Sequence, residues 1–120
     1  MIRVLLADDA DDIRMLIRIL LEKDGRFEVV GDARDGAEAL LLIETERPDV
    51  LVLDMGMPEL DGLQVLSELQ ARGLRLKVLA FSGFNGGVEE KALALGARAY
   101  LRKGAGNINE LVPNLLAICA

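Results

Sequence analysis

A chain of 120 residues with 52% hydrophobic and 28% charged side chains is sized and composed for one folded domain, not a disordered segment. Its single cysteine, Cys119, excludes an internal disulfide framework. No apolar run approaches the ~18 residues of a membrane helix, and no signal peptide opens the chain, which together point to the cytosol. The net charge of −6 argues against nucleic acid as a direct partner, and the absence of histidine removes His-based triads and His zinc sites.

Ile2–Ala7 reads as a first strand. Ile13, Leu16, Ile17, Leu20 and Leu21 follow at i, i+3, i+4 spacing, one face of a helix that Gly25 stops. Phe27–Gly31 is a second strand. Ala37, Leu40, Leu41 and Ile43 mark a second helix, capped by Asp35 and closed before Pro48. Val50–Leu53 is apolar throughout, as a strand buried on both faces should be. Leu63, Val65, Leu66 and Leu69 give a third helix that ends at Gly73, and Lys77–Phe81 a fourth strand. Beyond the glycine-rich Asn85-Gly86-Gly87, Val88–Leu95 is a short helix ended by Gly96. Ala99–Leu101 is a fifth strand and Ile108–Ile118 the last helix, with Pro113 near its first turn; an earlier start would kink the helix there.

Five strand-then-helix units imply an α/β fold with a parallel sheet and helices on both faces, because each parallel crossover needs a helix. The reading is a single domain over residues 1–120, beginning at Met1 and equally consistent with a stand-alone unit or the N-terminal part of a longer protein. Charge is uneven: residues 1–70 carry 7 basic and 17 acidic side chains, and residues 71–120 carry 7 and 3.

In such a sheet, ligands bind beyond the carboxyl ends of the strands. The residues there are Asp8 and Asp9 after strand one, Asp54 after strand three, Ser82 after strand four and Lys103 after strand five, with nothing distinctive after strand two. Each has an ordinary explanation. Asp8, Asp9, Asp11 and Asp12 are suited to capping a helix, Asp54 to opening a turn before Gly56 and Pro58, Ser82 to a turn beside Gly83, and Lys103 to a solvated surface. Taken together they describe one crevice. Three close carboxylates repel one another unless a cation lies between them, and a hard divalent ion with oxygen ligands, Mg²⁺, is the natural choice. A carboxylate nucleophile with a metal and a lysine suits phosphoryl transfer. Neither G-x-x-x-x-G-K-[ST] nor a G-x-G-x-x-G after the first strand is present for nucleotide phosphates.

These residues resemble the response-regulator receiver family over essentially the whole chain. The matching pieces are Leu6-Ala7-Asp8-Asp9, Val52-Leu53-Asp54-Met55-Gly56-Met57-Pro58, Leu60-Asp61-Gly62, Ala80-Phe81-Ser82-Gly83, and Gly96-Ala97-Arg98-Ala99-Tyr100-Leu101-Arg102-Lys103. The resemblance implies a flavodoxin-like doubly wound (βα)5 fold of strand order 2-1-3-4-5. It also implies that Asp54 accepts the phosphoryl group of a phosphohistidine on a sensor histidine kinase or phosphotransfer protein. Asp9, Asp54 and the carbonyl of Gly56 would bind Mg²⁺, and Asp8 would hold a metal-bound water or complete the acidic pocket. Lys103 would pair with the phosphoryl group, Ser82 would donate to one of its oxygens, and Tyr100 would change rotamer as the adjoining loop moves in, a switch biased by a local charge.

The departures from the family pattern concern the output side. Gly104 follows Lys103 where many members have proline, as in receivers joined to helix-turn-helix output domains. The stretch from Ser82 to Lys103 is about one residue short, which predicts a short or displaced fourth helix. Gly56 and Phe84 stand at positions that modulate dephosphorylation in the family, and they predict slow loss of phosphate. Two surfaces are candidates for homodimerisation: the first and last helices, and the fourth-helix face. The alternative to a phosphorylation-dependent switch is a receiver fold acting without phosphate as an interaction or dimerisation module. A phosphatase with an aspartyl nucleophile ranks below both, because Asp54-Met55-Gly56 lacks the second aspartate that serves as acid.

Overall fold

The computed structural model describes residues 1–83, 87–104 and 107–120. Five strands, β1 (Ile2–Ala7), β2 (Phe27–Ala33), β3 (Val50–Leu53), β4 (Lys77–Ser82) and β5 (Ala99–Arg102), pair in parallel in the order β2-β1-β3-β4-β5. They alternate with α1 (Asp11–Asp24), α2 (Gly36–Glu46), α3 (Gly62–Ala71), α4 (Val88–Ala94) and α5 (Leu111–Cys119). The fold and strand order are those the sequence implied. Among the described residues no helix is long and apolar enough to cross a membrane.

The sheet separates two apolar layers, and strand parity assigns each side chain to one of them. Leu5 and Ala7 of β1, Leu51 and Leu53 of β3 and Val78 and Ala80 of β4 face the layer built with α2, α3 and α4. Val4 and Leu6, Val50 and Val52, and Leu79 and Phe81 face the layer built with α1 and α5. A strand covered on both faces has no solvent side to make polar, which is why these strands are continuous apolar runs in the sequence.

Several boundaries and faces differ from the sequence expectation. β2 runs on to Ala33, two residues past Gly31, because Leu6 and Ala7 continue to pair with Asp32 and Ala33. The register shifts between Val4 and Leu5, which pair with Val29 and Gly31 and leave Val30 as an extra residue. A bulge in a parallel pair is uncommon. On α1 the buried positions are Arg14, Ile17 and Leu21, and Leu16 is 41% exposed. On α2 they are Gly36, Ala39, Leu40 and Ile43, and Leu41 is 62% exposed. The Asp35 cap, whose side chain accepts from Glu38 N, fixes the phase of α2. The last helix is not continuous from Ile108: a 3-10 turn over Asn107–Glu110 precedes α5, which starts at Leu111. Pro113 then lies in the first turn of α5, where an N–H has no intrahelical partner to lose, so no kink is needed. α4 is short, seven residues from Val88, as expected; Phe84, Asn85 and Gly86 lie outside the described residues.

Helix α2 meets the loop after β3 at van der Waals limits. A Cβ on Gly36 would overlap the Leu60 carbonyl and come within 2.5 Å of Leu60 Cβ. The expected outcome for Gly36→Ala is a loss of about 1–3 kcal/mol in urea unfolding, the usual cost of overpacking. Leu41→Ala, on the exposed side of the same helix, should stay within about 0.5 kcal/mol of the parent.

Candidate functional site

The strand register itself brings the acids together. Ala7 of β1 pairs with Leu53 of β3, so the next residues along, Asp8 and Asp54, leave adjacent strands side by side. The amide of Asp54 donates to Ala7 O at 2.9 Å. On the other side β4 and β5 end in register, Ser82 against Arg102, and the Lys103 amide donates to Ser82 O at 2.9 Å. From there the Lys103 side chain passes Phe81, its Nζ 5.8 Å from the ring centroid. It reaches Asp8 Oδ2 at 2.6 Å and Asp54 Oδ1 at 3.5 Å.

Asp8 is held on every side. Its amide donates to Ala33 O at 3.0 Å, Oδ1 accepts from the Ala10 amide at 2.9 Å, and Oδ2 accepts from Lys103. Its main-chain carbonyl accepts from Arg14 Nη1 at 2.5 Å. None of the four early aspartates caps α1; the cap position is Ala10, with no side-chain hydrogen bond. Asp9 is exposed, and its carboxylate stands at the mouth of the crevice. One oxygen from each of Asp8, Asp9 and Asp54 lies within 4.8 Å of the others.

Asp54 is 6% exposed, and the Gly56 amide donates to its Oδ1 at 3.3 Å. Burial pushes its pKa above the ordinary carboxylate value, with the charge of Asp8 adding to the effect and Asp9 contributing less. Lys103 and the Gly56 amide pull the other way without cancelling it. Three carboxylates face one ammonium in a partly dehydrated space, and all the acidic donors are hard oxygens. That donor set fits a divalent cation of the Mg²⁺ type.

Ser82 is fully buried at the end of β4, on the same sheet edge as Asp54. Tyr100 is half-buried on β5 beside Ala80 and packs against the layer of α2, α3 and α4. Gly62 lets the start of α3 close on the acceptor strand: its amide donates to Met55 O at 3.2 Å, and a Cβ there would lie 2.7 Å from Asp54 O. Asp61 and Gln64 form a reciprocal cap at that helix end. Phe84 lies outside the described residues. A cavity of about 660 Å³ lined by Ile43, Arg47, Pro48, Arg72 and Leu76 shares no residue with the acids. It sits at the opposite ends of the strands, so charge rather than depth defines the site.

Two residues near the site escaped the sequence reading. Arg14 is only 8% exposed and Asp32 is the last residue but one of β2; Arg14 Nε lies 3.8 Å from Asp32 Oδ1, and Arg18 Nη2 donates to Asp32 Oδ2 at 2.9 Å. The available signal was a charged residue at i on the stripe that Ile17 and Leu21 complete at i+3 and i+7.

Residues 4–115 match the response regulator receiver domain family. The transcriptional regulatory protein PdtaR of Mycobacterium tuberculosis is 37% identical over 111 residues, 92% of this chain and 53% of that protein. A protein-glutamate methylesterase/protein-glutamine glutaminase of Symbiobacterium thermophilum is 42% identical over 110 residues, 90% of this chain and 30% of that protein. Among solved structures, a DNA-binding response regulator of the LuxR family from Staphylococcus aureus superposes with a TM-score of 0.93 at 32% identity and full coverage of both chains. The chain belongs to the response-regulator receiver family, whose standard role is that of a phosphorylation-dependent switch. It spans about half the length of the curated transcription regulators it matches.

The raised pKa of Asp54 has a consequence for stability. A carboxyl that binds its proton more tightly when folded destabilises the fold as pH rises from about 4, the unfolded value, through the folded one. In EDTA at neutral pH, Asp54→Asn should therefore be more stable to urea than the parent, and the gap should close below about pH 4. A parent as stable as the variant at neutral pH would contradict the crowding of charge at this edge.

Proposed function

We propose that Asp54 is the phosphoacceptor and that residues 1–120 act as one receiver domain in the cytoplasm, loaded by a sensor histidine kinase or phosphotransfer protein. The observation that carries the reading is the position of Lys103 Nζ between Asp8 and Asp54, with three acidic oxygens within 4.8 Å of one another.

An Asp54 carboxylate oxygen forms the new bond to phosphorus as the bond to the donor imidazole nitrogen breaks, and the ring, already protonated at its other nitrogen, leaves as neutral imidazole. Asp54 must be ionised to attack, and Lys103 favours that state while burial opposes it. Asp9, Asp54 and the Gly56 carbonyl would hold Mg²⁺, which offsets the charge of the phosphoryl oxygens. Asp8, with both carboxylate oxygens already accepting hydrogen bonds, is suited to a water in that shell rather than to the ion. Lys103 then exchanges its carboxylate partners for a phosphoryl oxygen. Ser82 donates to another, drawing its loop inward, and Tyr100 follows. Gly56 offers no side chain to orient an attacking water, which suits a long-lived phosphoaspartate.

The domain turns over no small-molecule substrate; the esterase relative contains the matching region within a far longer chain. Its net charge of −6 disfavours direct binding of nucleic acid by this domain. The second reading, a phosphate-independent interaction or dimerisation module, draws support from Met15 and Ile19 on α1, 64% and 55% exposed.

One experiment separates the two. With acetyl phosphate and Mg²⁺ the parent should gain the mass of one phosphoryl group, and beryllofluoride should change Tyr100 fluorescence. Asp54→Asn should abolish both responses, and Lys103→Met should slow phosphorylation roughly a hundredfold, the usual cost of removing a stabilising donor. A parent that takes no phosphoryl group and still self-associates would favour the interaction module.

A further inference from the structure

We propose that Arg14 is a positioning residue of the cation site, acting through the main chain of Asp8. The inference rests on the reading of Asp8, Asp9 and Asp54 as that site.

Past Ala7 the β1 ladder runs out on both sides: the Ala7 carbonyl takes the Asp54 amide on the β3 side, and the Asp8 amide makes the last bond on the β2 side, to Ala33 O, where β2 ends. The next carbonyl, that of Asp8, is taken instead by Arg14 Nη1 at 2.5 Å. A guanidinium from the first turns of α1 thus substitutes for the missing strand partner and fixes the peptide that joins Asp8 to Asp9. The two acids project from either side of that peptide, so its orientation sets the spacing of their carboxylates.

Arg14 is itself fixed. Its Nη2 donates to Asp11 Oδ1, one turn back on the same helix. Its Nε is buried without a hydrogen-bond partner and faces Asp32 Oδ1 at 3.8 Å, while Arg18 occupies the other oxygen of Asp32. A buried cation left incompletely hydrogen-bonded is costly. Its best-formed buried bond is the one to the acid loop. Supports of this kind behind metal ligands commonly matter for affinity almost as much as the ligands do.

Electrostatics and positioning predict opposite signs. Removing a buried positive charge from behind three carboxylates, and releasing Asp11 and Asp32, would by Coulomb's law alone tighten Mg²⁺ binding. Loss of the carbonyl anchor loosens it. Lysine keeps the charge but gathers its three N–H donors on one nitrogen, so it does not reproduce the planar fork whose two nitrogens reach Asp8 and Asp11 separately.

The test is calorimetric titration of Mg²⁺ into the parent, Arg14→Met, Arg14→Lys and Ile17→Val, with folding checked by circular dichroism. Arg14→Met should bind Mg²⁺ about tenfold more weakly, and Arg14→Lys should lie between it and the parent. Ile17→Val, on the same buried stripe, should lose stability and keep the parent's affinity. A folded Arg14→Met that binds Mg²⁺ as tightly as the parent, or more tightly, overturns the proposal. Should Arg14→Met fail to fold, Arg14→Lys decides: weakened binding supports the proposal and parental affinity overturns it. A parent that binds no Mg²⁺ overturns the reading of the acidic crevice, and this inference with it.

Discussion

Three carboxylates confined at one edge of a parallel sheet repel one another, and the rest of the structure is arranged around keeping them there. Asp8 and Asp54 leave neighbouring strands in register, so no side-chain choice can move them far apart. Lys103 returns from the far side of the sheet to lie between them, held by the Phe81 ring and the Ser82 carbonyl. The parallel topology also turns helix N-termini toward this edge, α1 and α3 among them, and their dipoles favour negative charge there. The residual imbalance is a stored affinity for positive charge, which is what a cation-assisted phosphoryl acceptor requires.

The same edge is mechanically joined to the helices. Gly62 brings α3 against the backbone of Asp54 and Met55, and Gly36 brings α2 against Leu60 in the intervening loop. Glu59 sits between them in the left-handed region at φ 66°, an uncommon conformation for a residue with a Cβ. A charge change at Asp54 is therefore felt first in a loop with little slack.

Much of this was legible in the sequence because both faces of the inner strands are covered. Val50–Leu53 is apolar throughout and Ile2–Ala7 carries a charge only at Arg3, near its half-buried start, so their ends coincide with the ends of apolar runs. The acids follow directly, which is why strand ends located them. Helix faces were less legible. Leu16 and Leu41 fit an apolar period, yet α1 buries Arg14 and α2 turns Leu41 to solvent, because what each helix meets is decided by the sheet beneath it. Asp32 was missed for a related reason: on an edge strand, one acid among apolar residues looks like the start of a turn. Only the pairing with Leu6 keeps it in the ladder. The break before α5 depended on Pro113, whose position was clear while the helix start was not.

The extra residue in β2 has an effect beyond its local geometry. Up to Val29 the strand is in step with β1, and Val30 resets the parity so that Asp32 lies opposite Leu6, on the side of α1. Were Val30 paired with Leu5 in unbroken register instead, Asp32 would pair with Ala7 and turn to the side of α2. Arg14 and Arg18 would then lose their shared carboxylate. A slide of one position past β1, with no residue gained or lost, would exchange inside for outside. The register of this edge strand is thus under the same geometric control as the acids beside it.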